Sequence, residues 1–168
     1  MFSVGDLVVY PAQGVGKIES IDQKNIGDAF CAFYIVRILN NDITLMVPVK
    51  NARNVGLRAL TSTEHARTIL HGFADHSPFS GYTGQNWNRR YREYTERLKS
   101  SKLKDVANVL HELLLIGRGK ELSFGERRLL EQAMSLVSGE LAIVLNNSEQ
   151  TVRETIQQAF ALPEVQEN

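Results

Sequence analysis

Several groups of residues in this sequence could do chemistry, and most of them dissolve on inspection. The histidines His65, His71, His76 and His111 are scattered along the chain. His71 and Asp75 stand four residues apart, a spacing that would set two metal ligands on one helical face. Gly72 between them and Ser77-Pro78 just beyond argue instead for a fraying helix end. Gly14-Val15-Gly16-Lys17 has the outline of a phosphate loop, but the first glycine of that pattern is missing and Ile18 stands where Ser or Thr is needed. A β-turn is expected there. Cys31 has no basic neighbour in sequence and lies in an apolar run, which predicts a buried structural thiol. As the only cysteine it forms neither an intramolecular disulfide nor a zinc cluster. These residues imply no catalytic group, no metal and no cofactor, so an enzyme is not expected.

One grouping survives. Residues 85–104, QNWNRRYREYTERLKSSKLK, carry seven basic side chains against two acidic ones, whereas the 19 basic and 19 acidic residues of the whole chain cancel. Residues 1–58 are nearly neutral, with six basic and five acidic groups, and residues 140–168 hold one basic and five acidic groups. The stretch is thus a local positive pole. Such a pole is a footprint for phosphates, because each phosphate neutralised releases counterions; a solvated helix face fits the same charges. A chain of zero net charge binds free DNA weakly, so a role on nucleic acid requires something else to hold it there. The same stretch contains the only tryptophan, Trp87. At 3.6 residues per turn, Trp87, Tyr91, Tyr94 and Leu98 fall near one face, as a core stripe would. Yet Trp87 is in the first turn, where a side chain can protrude and free N–H groups can meet phosphates. An apolar wedge flanked by arginines is also how several proteins enter the minor groove. Core stripe and wedge both stand at this point.

The elements that must position these residues follow from periodicity. Over 168 residues the chain has room for one ordinary domain or two small ones, and 43% apolar content supports a packed core. No apolar run approaches the roughly 18–20 residues of a membrane span. Met1-Phe2-Ser3-Val4-Gly5-Asp6 lacks the basic and apolar regions of a signal peptide, so a cytoplasmic location is expected. From Asp6 to about Val47 the pattern is strand-like. Leu7-Val8-Val9-Tyr10 stops at Pro11; Lys17 to Asp22 alternates; residues 30–39 are aromatic and β-branched; Asn40-Asn41-Asp42 turns the chain into Ile43–Val47. Short strands at such spacing predict a small, bent antiparallel sheet or barrel. After about Thr61 the period is helical. Thr61 with Glu64 fits a capping box, and Pro78, Gly81 and Gly84 mark a connection over about 77–85. Helices are expected from Asn86 to about Ser100 and from about Lys102 to Ile116, the latter broken by Gly117-Arg118-Gly119. A second capping box, Ser123 with Glu126, opens a long helix that Asn146-Asn147 ends, and a last helix spans about Ser148 to Ala161.

The sequence resembles the CarD/CdnL family of bacterial transcription factors over nearly its whole length. The likeness rests on Val4-Gly5-Asp6-Leu7-Val8-Val9-Tyr10-Pro11 with Gly14-Val15-Gly16, on Met46-Val47-Pro48 and Val55-Gly56-Leu57-Arg58, and on Leu122-Ser123-Phe124-Gly125-Glu126-Arg127. Its most specific block is Trp87-Asn88-Arg89-Arg90-Tyr91-Arg92-Glu93-Tyr94. The resemblance implies an α+β chain: residues 1–60 a Tudor-like, bent antiparallel β barrel that docks on the RNA polymerase β subunit, residues 61–168 an all-helical bundle that contacts promoter DNA. It implies Trp87 as a wedge in the minor groove at the upstream edge of the transcription bubble, with Arg89, Arg90 and Arg92 as basic partners. It places the polymerase contact around Lys24, Ile26, Ile35, Met46 and Pro48. From the residues alone, Ile35 could equally be core. Met46 stands where some members carry arginine, so an apolar anchor replaces a charged one.

The expected mechanism needs no catalytic group. Promoter opening is near-balanced, and a monomeric factor that prefers the open complex shifts it by its differential affinity. A protein–protein adaptor whose basic face meets an acidic partner is the alternative. A free-standing duplex binder fits poorly with zero net charge.

Overall fold

The computed structural model describes residues 1–75 and 86–161. Strands β1 (Leu7–Tyr10), β2 (Gly14–Ile26), β3 (Ala29–Ile38), β4 (Thr44–Pro48) and β5 (Arg58–Ala59) form one antiparallel sheet in the order β4-β3-β2-β1-β5. The two-residue periodicity of β3 sends Tyr34, Val36 and Ile38 inward, where they pack with Val8, Ile18, Val47, Ala52 and Leu57. A bulge between Ile18 and Ser20 breaks the β2–β3 register and bends the ladder. Past Asp22 the sequence alternation fades, yet β2 runs on to Ile26. Residues 21–30, the far end of the β2–β3 hairpin, are exposed on both faces, so no core selects apolar residues there.

The glycine pair expected in a turn belongs to β2 instead. Gly16 pairs with Ile38, and a Cβ on it would stand 2.6 Å from Val36 Cγ1 and 3.1 Å from the Arg37 carbonyl oxygen. The glycine permits close approach of side chain and backbone. The turn lies one step earlier, with Ala12 at φ 66° and Gln13 N–H donating to the Tyr10 carbonyl at 3.0 Å.

Five helices follow: α1 (Thr63–Gly72), α2 (Trp87–Leu98), α3 (Leu103–Gly119), α4 (Phe124–Val144) and α5 (Glu149–Ala161). They share one apolar core that includes Ile69 of α1 and Phe73 just beyond its end, Tyr94 and Leu98 of α2, Leu110 of α3, Val137 of α4 and Ile156 of α5. Ser62, not Thr61, caps α1, accepting from His65 N–H at 3.1 Å. Thr61 N–H is committed elsewhere, to Glu140, which displaces the cap by one residue. The helix α3 continues through Gly117-Arg118-Gly119, so glycine lowers helix propensity there without ending the helix. The connection expected over 77–85 lies outside the described residues.

Sheet and helices meet at a buried carboxylate. Glu140 of α4 is 2% exposed and accepts from Arg58 Nη1 and Nη2 at 2.8 and 2.7 Å and from Thr61 N–H at 2.9 Å. The fork of Arg58 matches the two carboxylate oxygens, the geometry in which such pairs are strongest. Gly14 approaches α4 nearby, its Cβ position 3.7 Å from Leu136 Cδ2.

Candidate nucleic-acid interface and polymerase-facing surface

The N-terminus of α2 is capped as its sequence predicts: Asn86 Oδ1 accepts from Arg89 N–H at 2.9 Å. The cap fixes where Trp87 leaves the helix. The aromatic stripe then divides. Tyr94 and Leu98 are buried, whereas Trp87 and Tyr91 stand 36% and 48% exposed with ring centroids 5.8 Å apart. Core and surface residues thus share one helical face, because the bundle covers its C-terminal part and leaves the first turn open.

Trp87 is seated rather than loose. Its indole lies over the start of α4, where a Cβ on Gly125 would stand 2.7 Å from Trp87 Cζ2. The Arg90 guanidinium carbon is 5.5 Å from the Trp87 ring centroid and 5.8 Å from that of Tyr94, within cation–π range. Arg90 Nη2 donates to Glu126 at 3.1 Å, and Lys120 Nζ lies 3.4 Å from the same carboxylate. Glu126 also closes the capping box at Ser123: it accepts from Ser123 N–H at 3.1 Å, while Ser123 Oγ accepts from Glu126 N–H at 3.2 Å. Burial pushes the Glu126 carboxyl up. Hydrogen bonds from Ser123 and Arg90, with the Lys120 charge, outweigh it and hold the group below the ordinary carboxylate range.

The seven basic residues of the stretch therefore separate into two sets. Arg90 turns inward to Glu126, and Arg97 makes a bidentate pair with Glu112 of α3 at 2.8 Å to each oxygen. Arg89 is exposed, 3.7 Å from Glu93, and Arg92, Lys99, Lys102 and Lys104 are exposed as well. Arg89 and Arg92, three residues apart, share the solvent side of α2. The sequence grouped Arg90 with them as a phosphate-facing residue; in the fold its side chain is 14% exposed and bound to Glu126. Gly125 and Glu126 also belong to the site, with no local sign of it in the sequence. The capping-box signature was visible, but its link to Arg90 crosses 36 residues.

The second set of residues lies on the sheet. Register pairs Lys24 with Cys31, Ile26 with Ala29, Ile35 with Met46 and Phe33 with Pro48. Directly opposed residues share a face, and odd positions of β3 face away from its buried even positions. Lys24, Ile26, Ile35, Met46 and Pro48 thus all occupy the outer face of β2–β3–β4, with β4 at the sheet edge. Ile26 and Met46 are 58% and 49% exposed; Ile35 and Pro48 are half-buried. Cys31, expected to be buried, is half-buried on this face opposite Lys24.

The remaining chemistry does not assemble. The helix α1 ends at Gly72, so Asp75 lies beyond the helical spacing that paired it with His71, and its carbonyl oxygen contacts His111 Nε2 at 2.6 Å. Among the described residues no three His, Cys, Asp or Glu side chains converge as metal ligands, and no helix is long and apolar enough to cross a membrane.

A bent sheet with Ile26 and Met46 exposed on its outer face is joined through Glu140 to helices that hold a one-third-exposed tryptophan. Residues 2–61 match the family model described as the CarD-like/TRCF RID domain, and residues 78–157 match that of the CarD C-terminal domain. The chain belongs to the CarD/CdnL family of transcription factors, proteins that are not enzymes and whose first module interacts with RNA polymerase. YdeB of Bacillus subtilis (strain 168), which carries the name of a candidate transcription factor, is 26% identical over 153 residues, covering 91% of this chain and 98% of its own.

Proposed function

We propose that this protein docks on the RNA polymerase β subunit and stabilises the open promoter complex by wedging Trp87 into the minor groove at the upstream edge of the bubble. The observation that carries the reading is the seat of Trp87: a lone tryptophan at a helix N-terminus, held against Gly125 and Arg90 yet one-third exposed. A core residue would be covered, and an incidental surface aromatic would have no such support. Insertion costs some unstacking, offset by contacts that only a distorted, open fork permits. Arg89 and Arg92 meet the flanking phosphates, while Arg90 supports the indole.

Lys24, Ile26, Ile35, Met46 and Pro48 form the polymerase contact, with the β4 edge offering main-chain groups for strand addition. Docking explains how a chain of zero net charge works on DNA: polymerase supplies the local concentration, and the basic face needs only modest affinity. The working units are residues 1–60 and 61–168, in a monomer located in the cytoplasm with polymerase on the nucleoid, without a cofactor.

The test uses promoter DNA carrying 2-aminopurine at the upstream edge of the bubble. Wild-type protein should raise its fluorescence in the polymerase complex, and folded Trp87→Ala should not. Equal signals from both proteins would refute the wedge and favour an adaptor that never touches DNA.

A further inference from the structure

Glu126 does more than cap a helix. A capping box requires only reciprocal bonds between Ser123 and Glu126, and these are satisfied on exposed helix ends. Here the carboxylate is 2% exposed and additionally holds Arg90 of α2, with Lys120 alongside. Arg90 spans from that carboxylate to the Trp87 ring, 5.5 Å away. On the adjoining residue, Gly125, the absence of a Cβ leaves room for the indole. The start of α4 therefore supplies both a floor and, through Arg90, a stacking plate for Trp87.

We propose that Glu126 and Gly125 are positioning residues for Trp87: Glu126 fixes Arg90 against the indole, and Gly125 sets how far the indole stands out of the helix. The functional consequence rests on the wedge reading above; the positioning itself does not depend on DNA. A side chain ordered on folding carries no ordering cost when it binds, so a fixed indole enters a fork more readily than a mobile one. Arg90 then acts through geometry, not charge. Lysine keeps the charge but has no planar fork to satisfy a carboxylate and lie over a ring together.

Trp87 is the sole tryptophan, so intrinsic fluorescence reports this site without a label. Emission and acrylamide quenching are measured on the full-length wild type, Glu126→Gln, Arg90→Lys, Gly125→Ala and Ser123→Ala, each checked for folding by circular dichroism. The lifetime of heparin-challenged promoter complexes is then measured with each and with Trp87→Ala. Glu126→Gln, Arg90→Lys and Gly125→Ala should change quenching and shorten the lifetime by about threefold, the equivalent of losing one preordered side chain. Ser123→Ala weakens the cap but leaves Glu126 on Arg90, and should leave both readouts near wild type. Unchanged quenching in both Glu126→Gln and Arg90→Lys overturns the positioning role. Full function in Arg90→Lys does so too and returns Arg90 to a simple phosphate contact. Altered quenching, with wild type and Trp87→Ala giving equal lifetimes, upholds the positioning and refutes the wedge.

Discussion

Glu140→Ala removes the acceptor for three hydrogen bonds at the junction of sheet and helices: two from Arg58 and one from Thr61 N–H. Arg58 Nε is already buried without a partner among the described residues, so the variant would leave Nη2 and a backbone donor unsatisfied as well, while Nη1 keeps the Ala59 carbonyl at 3.1 Å. Breaking a buried ion pair by deleting one partner costs about 3–5 kcal/mol. The Arg58 side chain keeps 22% exposure, so water compensates it in part and the lower bound, about 3 kcal/mol, is expected. With a urea dependence of about 2 kcal/mol per molar, the unfolding midpoint falls by about 1.5 M. Glu140→Gln retains one acceptor oxygen and should lose about 1–2 kcal/mol. The double variant Arg58→Met/Glu140→Leu, which replaces the pair by apolar volume, should recover the part of the loss due to the stranded guanidinium and stay about 1–2 kcal/mol below wild type, because Thr61 N–H still lacks its acceptor. Amide exchange adds a local readout, since Thr61 N–H loses its partner and should exchange faster in Glu140→Ala. A loss below about 0.5 kcal/mol, typical of a solvated surface pair, with Thr61 exchange unchanged, would refute the argument that Glu140 clamps the two modules.

Three further outcomes are expected. Gly16→Ala should destabilise the protein by about 1–3 kcal/mol in urea titrations, because its Cβ would press on Val36 and the Arg37 carbonyl. Met46→Asp should weaken binding to the polymerase β subunit in a direct titration while leaving the thermal transition unchanged, since residue 46 is half exposed on an edge strand. Glu126, faced by Arg90 of α2, Lys120 at the end of α3 and Ser123, is held below its ordinary pKa in the folded chain. Its contribution is therefore present above the unfolded value of about 4.3 and fades as pH falls through the lower folded value; Glu126→Gln should flatten that acid limb in a stability–pH profile.

What the sequence discloses and what it hides follow from the range of each interaction. Elements with local causes are legible: Asn86 and the Ser123–Glu126 box announce helix starts because cap and recipient lie three residues apart. The strand character of β3 is legible in its aromatic and β-branched run, but its inward set is not, because residues 29–36 are apolar on both faces and Ile35 reads equally as core. The end of β2 is not legible either, because its distal residues bury nothing. Neither is β5, two residues long and paired to β1 by tertiary placement. Thr61 has the local signature of a cap, and nothing near it in sequence shows that its N–H is bound to Glu140, 79 residues away. Around Trp87, composition marked the stretch and the stripe, but a stripe does not say where the bundle stops covering it. Arg89, Arg90 and Arg92 look alike in sequence; Glu126 alone distinguishes Arg90, and it arrives from another helix.

The most direct test of the central claim is the lifetime of a heparin-challenged promoter–polymerase complex without factor, with wild type, and with folded Trp87→Ala. A longer lifetime with wild type that Trp87→Ala fails to give, at equal binding to polymerase, is the predicted result. Equal lifetimes in all three reactions would contradict it.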